Sequence, residues 1–251
     1  NCSIISFQNT GQMNRYTTQP KFIQIAKAFK ISNASVALYA EHSLNESESN
    51  FHFSDSFHQR MLNINPKSLS KLSHNTHRNS DTPWRYPGGT ALTMNATAKA
   101  HMTSTGNDST GLGRWTWTRL EGRYKTFSTC ISAYRPCTNK EGLSTTWNQH
   151  VRYFRDQGIA EPHPRTQFDK DLISFITKVM IKGDNIVLGI DMNEDVRSGT
   201  LALQLIALGL SNLVLSTHPS QSSSATFNRN ETRTPVDALW GSRAIDVLHA
   251  G

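Results

Sequence analysis

Short apolar runs, each closed by polar residues, alternate along this chain with segments of helical periodicity. Residues 3–8 and 35–40 have the pattern of strands, and the apolar side chains between Pro20 and Lys30 recur at the spacing of an amphipathic helix. This order predicts a strand–helix–strand unit, in which Asn9 and Glu41 follow directly after the two strands.

The same periodicities predict the remaining elements. Helices are expected at residues 53–62, 147–155, 168–180 and 201–208, and strands at residues 89–94, 113–120, 125–134, 186–190, 213–215, 225–228 and 236–240. Polar stretches at residues 63–87 and 103–111 predict loops. Because no linker or repeat interrupts the pattern, the sequence predicts a single domain of the α/β (α+β) class over residues 1–251.

Composition favours a polyanionic partner and excludes a membrane-spanning class. Lys and Arg number 26 against 19 acidic residues, giving a net charge of +7 and a pI of about 9.5, which suits nucleic acid. Mean hydropathy is −0.50, and no apolar run approaches the roughly 18 residues that a membrane span needs. The three cysteines form no Cys-x-x-Cys pair, so neither a disulfide framework nor a zinc site is indicated.

An aspartate and an asparagine follow the apolar run at residues 186–190. Period-two geometry would place Asp191 and Asn193 on one side of an extended chain, at the strand end where open α/β sheets bind ligands. A carboxylate can orient or deprotonate a water, and a neighbouring amide can stabilise an oxyanion. Both residue types also favour turns, so the segment is either a site or an ordinary turn.

Polar residues at other strand ends complete an ordered set with this pair. The motifs are Ser6-Phe-Gln-Asn9-Thr-Gly11, Val36-Ala-Leu-Tyr-Ala-Glu41, Ile131-Ser-Ala-Tyr134-Arg-Pro136, Leu188-Gly-Ile-Asp191-Met-Asn193, and Thr226-Phe227 followed by Val236-Asp237-Ala-Leu-Trp240. Their order resembles that of the endonuclease/exonuclease/phosphatase superfamily, which includes apurinic endonucleases, deoxyribonuclease I and the endonuclease domains of non-LTR retrotransposons. The resemblance runs from Ser3 to about Trp240.

This resemblance implies a fold, a cofactor and a set of roles. The implied fold is a four-layer sandwich of two mixed β-sheets flanked by helices, and the implied activity is that of a phosphodiesterase dependent on Mg²⁺ or Mn²⁺. The implied catalytic residues are Glu41 and Asn9 at the metal, Asp191 on the attacking water, Asn193 and Tyr134 on phosphate oxygens, and Asp237 in support.

The chain also departs from the family pattern. Ala40 replaces a common glutamine before the metal-binding glutamate, and Ile190 separates the motif's glycine from Asp191. The family's terminal aspartate–histidine pair has no counterpart after Trp240. We therefore expect residues 1–251 to be a fragment without the final strand, poorly soluble and inactive alone.

Within the superfamily the chain looks most like the retrotransposon endonuclease domains. That likeness implies DNA as the partner, no membrane, a monomeric domain of a larger polyprotein, and an intracellular location such as the nucleus. The candidate nucleic-acid contacts are Trp84, Arg85, Tyr86, Arg114 and Arg135, whereas Trp115 and Trp117 are expected in the core. The expected activity is nicking of DNA; a catalytically inactive nucleic-acid-binding relative and a phosphatase of small phosphoesters are the alternatives.

Overall fold

The computed structural model describes residues 3–11, 13, 18–46, 55–77, 86–218, 225–229 and 232–249, with only the backbone described at residues 18, 19, 227–229 and 232. The strands are β1 (Ile5–Asn9), β2 (Val36–Ala40), β3 (Leu69–Ser73), β4 (Thr90–Met94), β5 (Met102–Asn107), β6 (Trp115–Glu121), β7 (Phe127–Tyr134), β8 (Asn185–Asp191), β9 (Leu210–Asn212), β10 (Phe227–Arg229), β11 (Thr232–Thr234) and β12 (Asp237–Ser242). The helices are α1 (Thr18–Ser32), α2 (Phe57–Ile64), α3 (Ala96–Ala100), α4 (Thr146–Asp156), α5 (Pro164–Ile181), α6 (Thr200–Ala207) and α7 (Leu213–Thr217).

Two mixed sheets form the centre of the molecule. The smaller sheet has the order β1-β2-β4-β3, and the larger has the order β5-β6-β7-β8-β12-β9. β1 and β2 are parallel and connected through α1, which confirms the predicted strand–helix–strand unit. β7 and β8 are also parallel, whereas β12 runs antiparallel to β8, so that the beginning of β12 lies beside the end of β8.

The sheets pack face to face and the helices cover their outer faces. Leu38 of β2 and Val187 of β8 lie in the apolar cluster between the sheets. Phe22 of α1 packs in a second cluster outside the smaller sheet, and Phe168 of α5 packs in a third cluster outside the larger one. This confirms the predicted four-layer sandwich. Among the described residues, no helix combines the length and the apolar character needed to cross a lipid bilayer.

The packing of the two sheets explains why a glycine, Gly189, stands two residues before Asp191. A Cβ added to Gly189 would lie 2.6 Å from the Cδ2 atom of Phe7 and 2.9 Å from a methyl group of Leu38, both in the opposite sheet. The side chains of the smaller sheet therefore fill the place that a larger residue would need. The motif's glycine serves the close packing of the two sheets.

Three predictions of secondary structure are wrong. The expected loop at residues 63–87 contains β3, whose buried positions are serines: Ser70 forms a 2.8 Å hydroxyl–hydroxyl hydrogen bond with Thr93, so the strand shows no apolar alternation. The expected loop at residues 103–111 contains β5, a polar edge strand. The expected strand at residues 213–215 is helix α7, which Asn212 caps by accepting a hydrogen bond from Leu215 N at 3.2 Å.

Candidate active site

Strand ends from both sheets meet at one edge of the sandwich. In the larger sheet, Asp191 at the end of β8 is paired in register with Tyr134 of β7 on one side and Asp237 of β12 on the other. In the smaller sheet, Asn9 ends β1 beside the end of β2, which Glu41 follows. The structure therefore brings together five side chains that the sequence motifs had singled out.

Glu41, Asp191 and Asp237 form what we call the acid cluster. Asp191 is buried, Glu41 and Asp237 are half-buried, and no described Lys, Arg or His forms an ion pair with any of the three. Burial raises the pKa of all three carboxyl groups. Repulsion from Asp237 raises the pKa of Glu41 and of Asp191 further, and Glu41 adds to the effect on Asp191. Asp191 is only 2% exposed, and its pKa lies well above the ordinary range of an aspartate. Each negative charge therefore makes the others harder to maintain.

The amide of Asn9 joins the two sheets at this cluster. Asn9 Nδ2 donates to Asp191 Oδ2 at 2.8 Å, and Asn9 Oδ1 accepts from Gly11 N at 2.8 Å. After the larger effect of burial, hydrogen bonding from Asn9 also lowers the pKa values of Glu41 and Asp237. Asn9 is thus a donor to the acids, and its role as a metal ligand stays a prediction.

Asp191 and Asn193 form a turn as well as part of the candidate site. Asn193 N donates to Asp191 Oδ1 at 2.9 Å, and Asn193 Nδ2 donates to Arg135 O at 2.7 Å. Asn193 has a φ of 50°, in the left-handed region that asparagine tolerates better than most residues. The expectation of a continued extended chain is therefore wrong, because β8 ends at Asp191 and this turn sets the position of Asn193.

A tightly supported backbone holds Glu41. Its φ is 58°, and its backbone N donates to Gly89 O at 2.8 Å. The next residue, His42, is fully buried; its Nε2 lies 3.0 Å from Ser73 O, and Leu44 N donates to its Nδ1 at 2.9 Å. Burial lowers the pKa of His42 to about 4, so the ring is neutral. A Cβ on Gly89, whose φ is +85°, would lie 2.5 Å from that ring, so glycine is needed there.

Tyr134 is buried at the edge of the acid cluster. Burial raises its pKa well above the ordinary value for tyrosine, and the charges of Glu41 and Asp191 raise it further. A Cβ on Gly88 would lie 3.2 Å from the Tyr134 ring, which shows how closely the backbone passes. The phenol therefore stays protonated and can act as a hydrogen-bond donor.

Two further residues contribute to the candidate site: Lys21, which no sequence motif had marked, and Thr226, which belongs to the motif that precedes Asp237. Lys21 Nζ donates to Gly11 O at 2.5 Å, and its charge lowers the pKa of Glu41 against the larger effect of burial. Thr226 Oγ1 accepts from Val236 N at 3.0 Å and from Asp237 N at 3.2 Å. A single lysine in an amphipathic helix carries no sequence signal that separates it from its neighbours, whereas Thr226 was marked by its place in the motif before Asp237.

The donor set of the site fits a hard cation such as Mg²⁺. Carboxylate oxygens are its preferred ligands, and Asp237 Oδ1 is buried without a hydrogen-bond partner among the described residues. No three His, Cys, Asp or Glu side chains in that part of the chain converge as a complete metal cage. The two observations agree, because Mg²⁺ commonly binds one or two carboxylates and takes its other ligands from water and substrate phosphate.

The residues predicted to contact nucleic acid differ in where they lie in the structure. Trp84 and Arg85 lie outside the described residues, and Tyr86 is half-buried. The prediction for Arg114 and Arg135 needs correction, because they are only 1% and 3% exposed. Their guanidinium groups are bonded to carboxylates inside the protein, Arg114 to Asp108 and Asp171, Arg135 to Asp169 and Glu194. Neither group is at the surface where a nucleic acid could reach it. Trp115 and Trp117 pack in the core, as predicted.

Known structures match this chain over nearly its whole length. The 3′ phosphatase NExo from Neisseria, bound to a product DNA hairpin, has a TM-score of 0.62 and 14% identity, covering 97% of this chain and 88% of that one. An AP endonuclease from Archaeoglobus fulgidus has a TM-score of 0.61 and 12% identity, covering 96% and 87%. An endonuclease/exonuclease/phosphatase family protein from Leptotrichia buccalis has a TM-score of 0.54 and 9% identity, covering 96% and 88%.

The protein has the endonuclease/exonuclease/phosphatase fold, as the order of its motifs predicted. No protein-family model and no curated protein sequence matches the chain. At these sequence identities the likeness is one of architecture. What the site does has to be argued from its own residues.

Proposed function

We propose that this protein is a metal-dependent phosphodiesterase that nicks DNA. The observation that carries the proposal is the acid cluster, in which three desolvated carboxylates meet at strand ends of both sheets with amide and phenol donors beside them. None of the three acids forms an ion pair with a described Lys, Arg or His. Such a charge arrangement suits a site that a divalent cation completes.

Asp191 is suited to orient and deprotonate the attacking water. Its two carboxylate oxygens accept from Asn9 Nδ2 and Asn193 N, so the group is fixed in position. Because burial and the neighbouring acids raise its pKa, it is a stronger base than an exposed aspartate. Asn193 and Tyr134 are the donors that we assign to the nonbridging phosphate oxygens.

Glu41 would hold the divalent cation, and Asp237 would support it with the oxygen that has no hydrogen-bond partner among the described residues. The cation would supply charge neutralisation for the phosphate and a better leaving oxygen. Lys21 is bonded to a neutral carbonyl and stands close enough to Glu41 to lower its pKa. It can exchange that carbonyl for a phosphate oxygen when substrate arrives.

DNA is supported as the substrate by charge and by similarity of fold. A net charge of +7 raises the local concentration of a polyanion. Of the similar structures, one is a 3′ phosphatase bound to a product DNA hairpin and another is an AP endonuclease.

The test is nicking of supercoiled plasmid with Mg²⁺, with Mn²⁺ and with a chelator, by residues 1–251 and by a longer chain that carries a terminal aspartate–histidine pair. We expect the longer chain to nick only with the cation, and Glu41→Gln in that chain to reduce nicking to background, because the substitution keeps the volume and removes the charged ligand. Glu46→Gln is the matched control: Glu46 is also a half-buried acid with a pKa raised by burial, but it accepts from Phe57 N at 2.7 Å, away from the acid cluster.

The alternatives give different results in the same experiment. Binding of plasmid without nicking under any cation would identify an inactive nucleic-acid-binding relative. Release of phosphate from small phosphoesters without plasmid nicking would identify a phosphatase. Nicking that survives Glu41→Gln unchanged would overturn the role of Glu41 at the metal.

A further inference from the structure

Arg135 is bonded to four consecutive residues of the Asp191 segment. Its backbone N donates to Asp191 O at 3.0 Å, and its backbone O accepts from Asn193 Nδ2 at 2.7 Å. Its Nη1 atom donates to Met192 O at 3.4 Å and to Glu194 Oε2 at 2.8 Å. One residue thus contacts Asn193 itself and the residues immediately before and after it.

The guanidinium of Arg135 is itself anchored to a rigid element. Nε and Nη2 each donate to Asp169 of α5 at 2.6 Å in a two-pronged ion pair. Glu194 is held from two more sides, by Arg165 Nη2 at 3.1 Å and by Leu201 N at 2.7 Å. The turn that carries Asn193 is therefore attached to α5 and to the start of α6 through these charged groups.

Such an anchor matters because the turn is not held by strand pairing alone. Asn193 lies beyond the end of β8 with a φ of 50°, so its side-chain direction depends on the bonds around it. An arginine can grip a carboxylate with two parallel N–H bonds while a third N–H points elsewhere, whereas a lysine ammonium cannot reproduce this fork. The arrangement fixes geometry in a way that depends on the planar guanidinium.

We propose that Arg135 is a positioning residue of the active site, which sets the geometry of Asp191 and Asn193 without contacting the substrate. The proposal rests on the proposed phosphodiesterase function. Arg114 serves as the comparison, because it is a similarly buried and paired arginine with no part in the proposed positioning. It is buried, bonded twice to Asp108 and once to Asp171, and its guanidinium makes no bond to residues 191–194.

The experiment compares Arg135→Lys with Arg114→Lys on a duplex DNA substrate at saturating Mg²⁺. Both variants should melt at a lower temperature, since each weakens a buried ion pair. Only Arg135→Lys should lower kcat, by about tenfold to a hundredfold with KM unchanged, because displaced catalytic groups cost rate rather than binding. In an Asn193→Ala background, Arg135→Lys should cause little further loss of kcat.

Two results would overturn the proposal while the proposed function stands: an unchanged kcat in Arg135→Lys, or an equal loss of kcat in Arg114→Lys. If Arg135→Lys does not fold, Glu194→Gln takes its place, since it keeps the arginine and weakens the ion pairs of Glu194 with Arg135 and Arg165. We then expect a smaller loss of kcat, and no loss would overturn the proposal.

If the wild-type protein cleaves no phosphoester with any cation, the proposed function fails and a second readout decides the positioning role. The side-chain amide signal of Asn193 in an NMR spectrum is identified by its absence in Asn193→Ala. Arg135→Lys should shift this signal and speed its exchange with water, while Arg114→Lys should leave it unchanged. An unmoved signal in Arg135→Lys would overturn the positioning role.

Discussion

A buried aspartate lies at each end of β8, and the surroundings of the two shift their pKa values in opposite directions. Asp184, immediately before the strand, accepts from Arg119 Nε at 2.8 Å, from Arg119 Nη2 at 2.9 Å and from Thr129 Oγ1 at 2.7 Å. Asp191, at the end of the strand, accepts only from amide groups and faces two other acids. Burial acts to raise both pKa values, but the partners of Asp184 reverse its effect and bring that pKa below the ordinary value.

The difference separates an acid that stabilises the fold from the acid to which we assign a catalytic role. Asp184 has a full set of charged and polar partners inside the protein, so its charge is already neutralised. Asp191 has a charge that the described residues leave uncompensated, which costs stability and is typical of functional sites. The same residue type at two ends of one strand thus gives an internal control for the proposed site.

The largest effect that tests this comparison is on catalysis. We expect Asp191→Asn to lower turnover on DNA by about 10²–10⁴-fold, because a positioned base is lost while the shape is kept. Plasmid nicking under saturating Mg²⁺ measures the turnover, and DNA binding should be nearly unchanged. A variant that binds DNA poorly but keeps its turnover would contradict the role of Asp191.

The second effect is on stability, at the other end of the strand. We expect Asp184→Asn to lower the melting temperature by about 2–4 °C while turnover per folded molecule is unchanged, because it breaks an ion pair far from the acid cluster. The loss is modest since Arg119 retains 27% exposure and water can replace its partner. Thermal melting followed by circular dichroism is the measurement. If Asp184→Asn instead reduces turnover, the two ends of β8 are not functionally separate.

The smallest expected effect is a difference in how the free energy of unfolding depends on pH, measured in protein without divalent cations. The folded pKa of Asp191 is raised, so its contribution to stability is fully present below 3.8 and is lost as pH rises from there through the raised pKa. The folded pKa of Asp184 is lowered, so its contribution is present above 3.8 and is lost as pH falls through the lowered pKa. Asp191→Asn should therefore gain stability relative to wild type as pH rises, and Asp184→Asn should gain it as pH falls. Urea unfolding across this range distinguishes the two slopes, and parallel slopes would refute the assignment.

The fold could be predicted because each motif that indicates it is a short, continuous segment of the sequence. The strand ends at Asn9, Tyr134 and Asp191 are each marked by an apolar run followed by a polar residue, and their order points to one architecture. The strands β3 and β5 were missed because serine and threonine occupy positions that the apolar pattern requires to be hydrophobic. Buried hydroxyl pairs such as Ser70 and Thr93 cannot be seen before the sheet is assembled.

The partners of the two arginines were harder to predict than the acids of the candidate site. Arg114 and Arg135 lie next to apparent strand ends in a basic chain, which suggested contacts with nucleic acid. Their acidic partners, such as Asp169 and Asp108, lie elsewhere in the sequence and meet them only in the fold. An arginine that is paired inside the protein and one that is free to bind phosphate have the same local sequence signature.

The hydrogen bond from Asn9 to Asp191 has a consequence for how the protein is made. It connects residues that are 182 positions apart in the chain and belong to different sheets. Closing so long a segment costs chain entropy, and the packing of both sheets is needed to offset that cost. We therefore expect this contact to form late in folding. During synthesis, Asn9 and Glu41 emerge long before Asp191 and Asp237 exist. We therefore expect a growing or partly folded chain to lack the proposed phosphodiesterase activity, because its acid cluster is still incomplete.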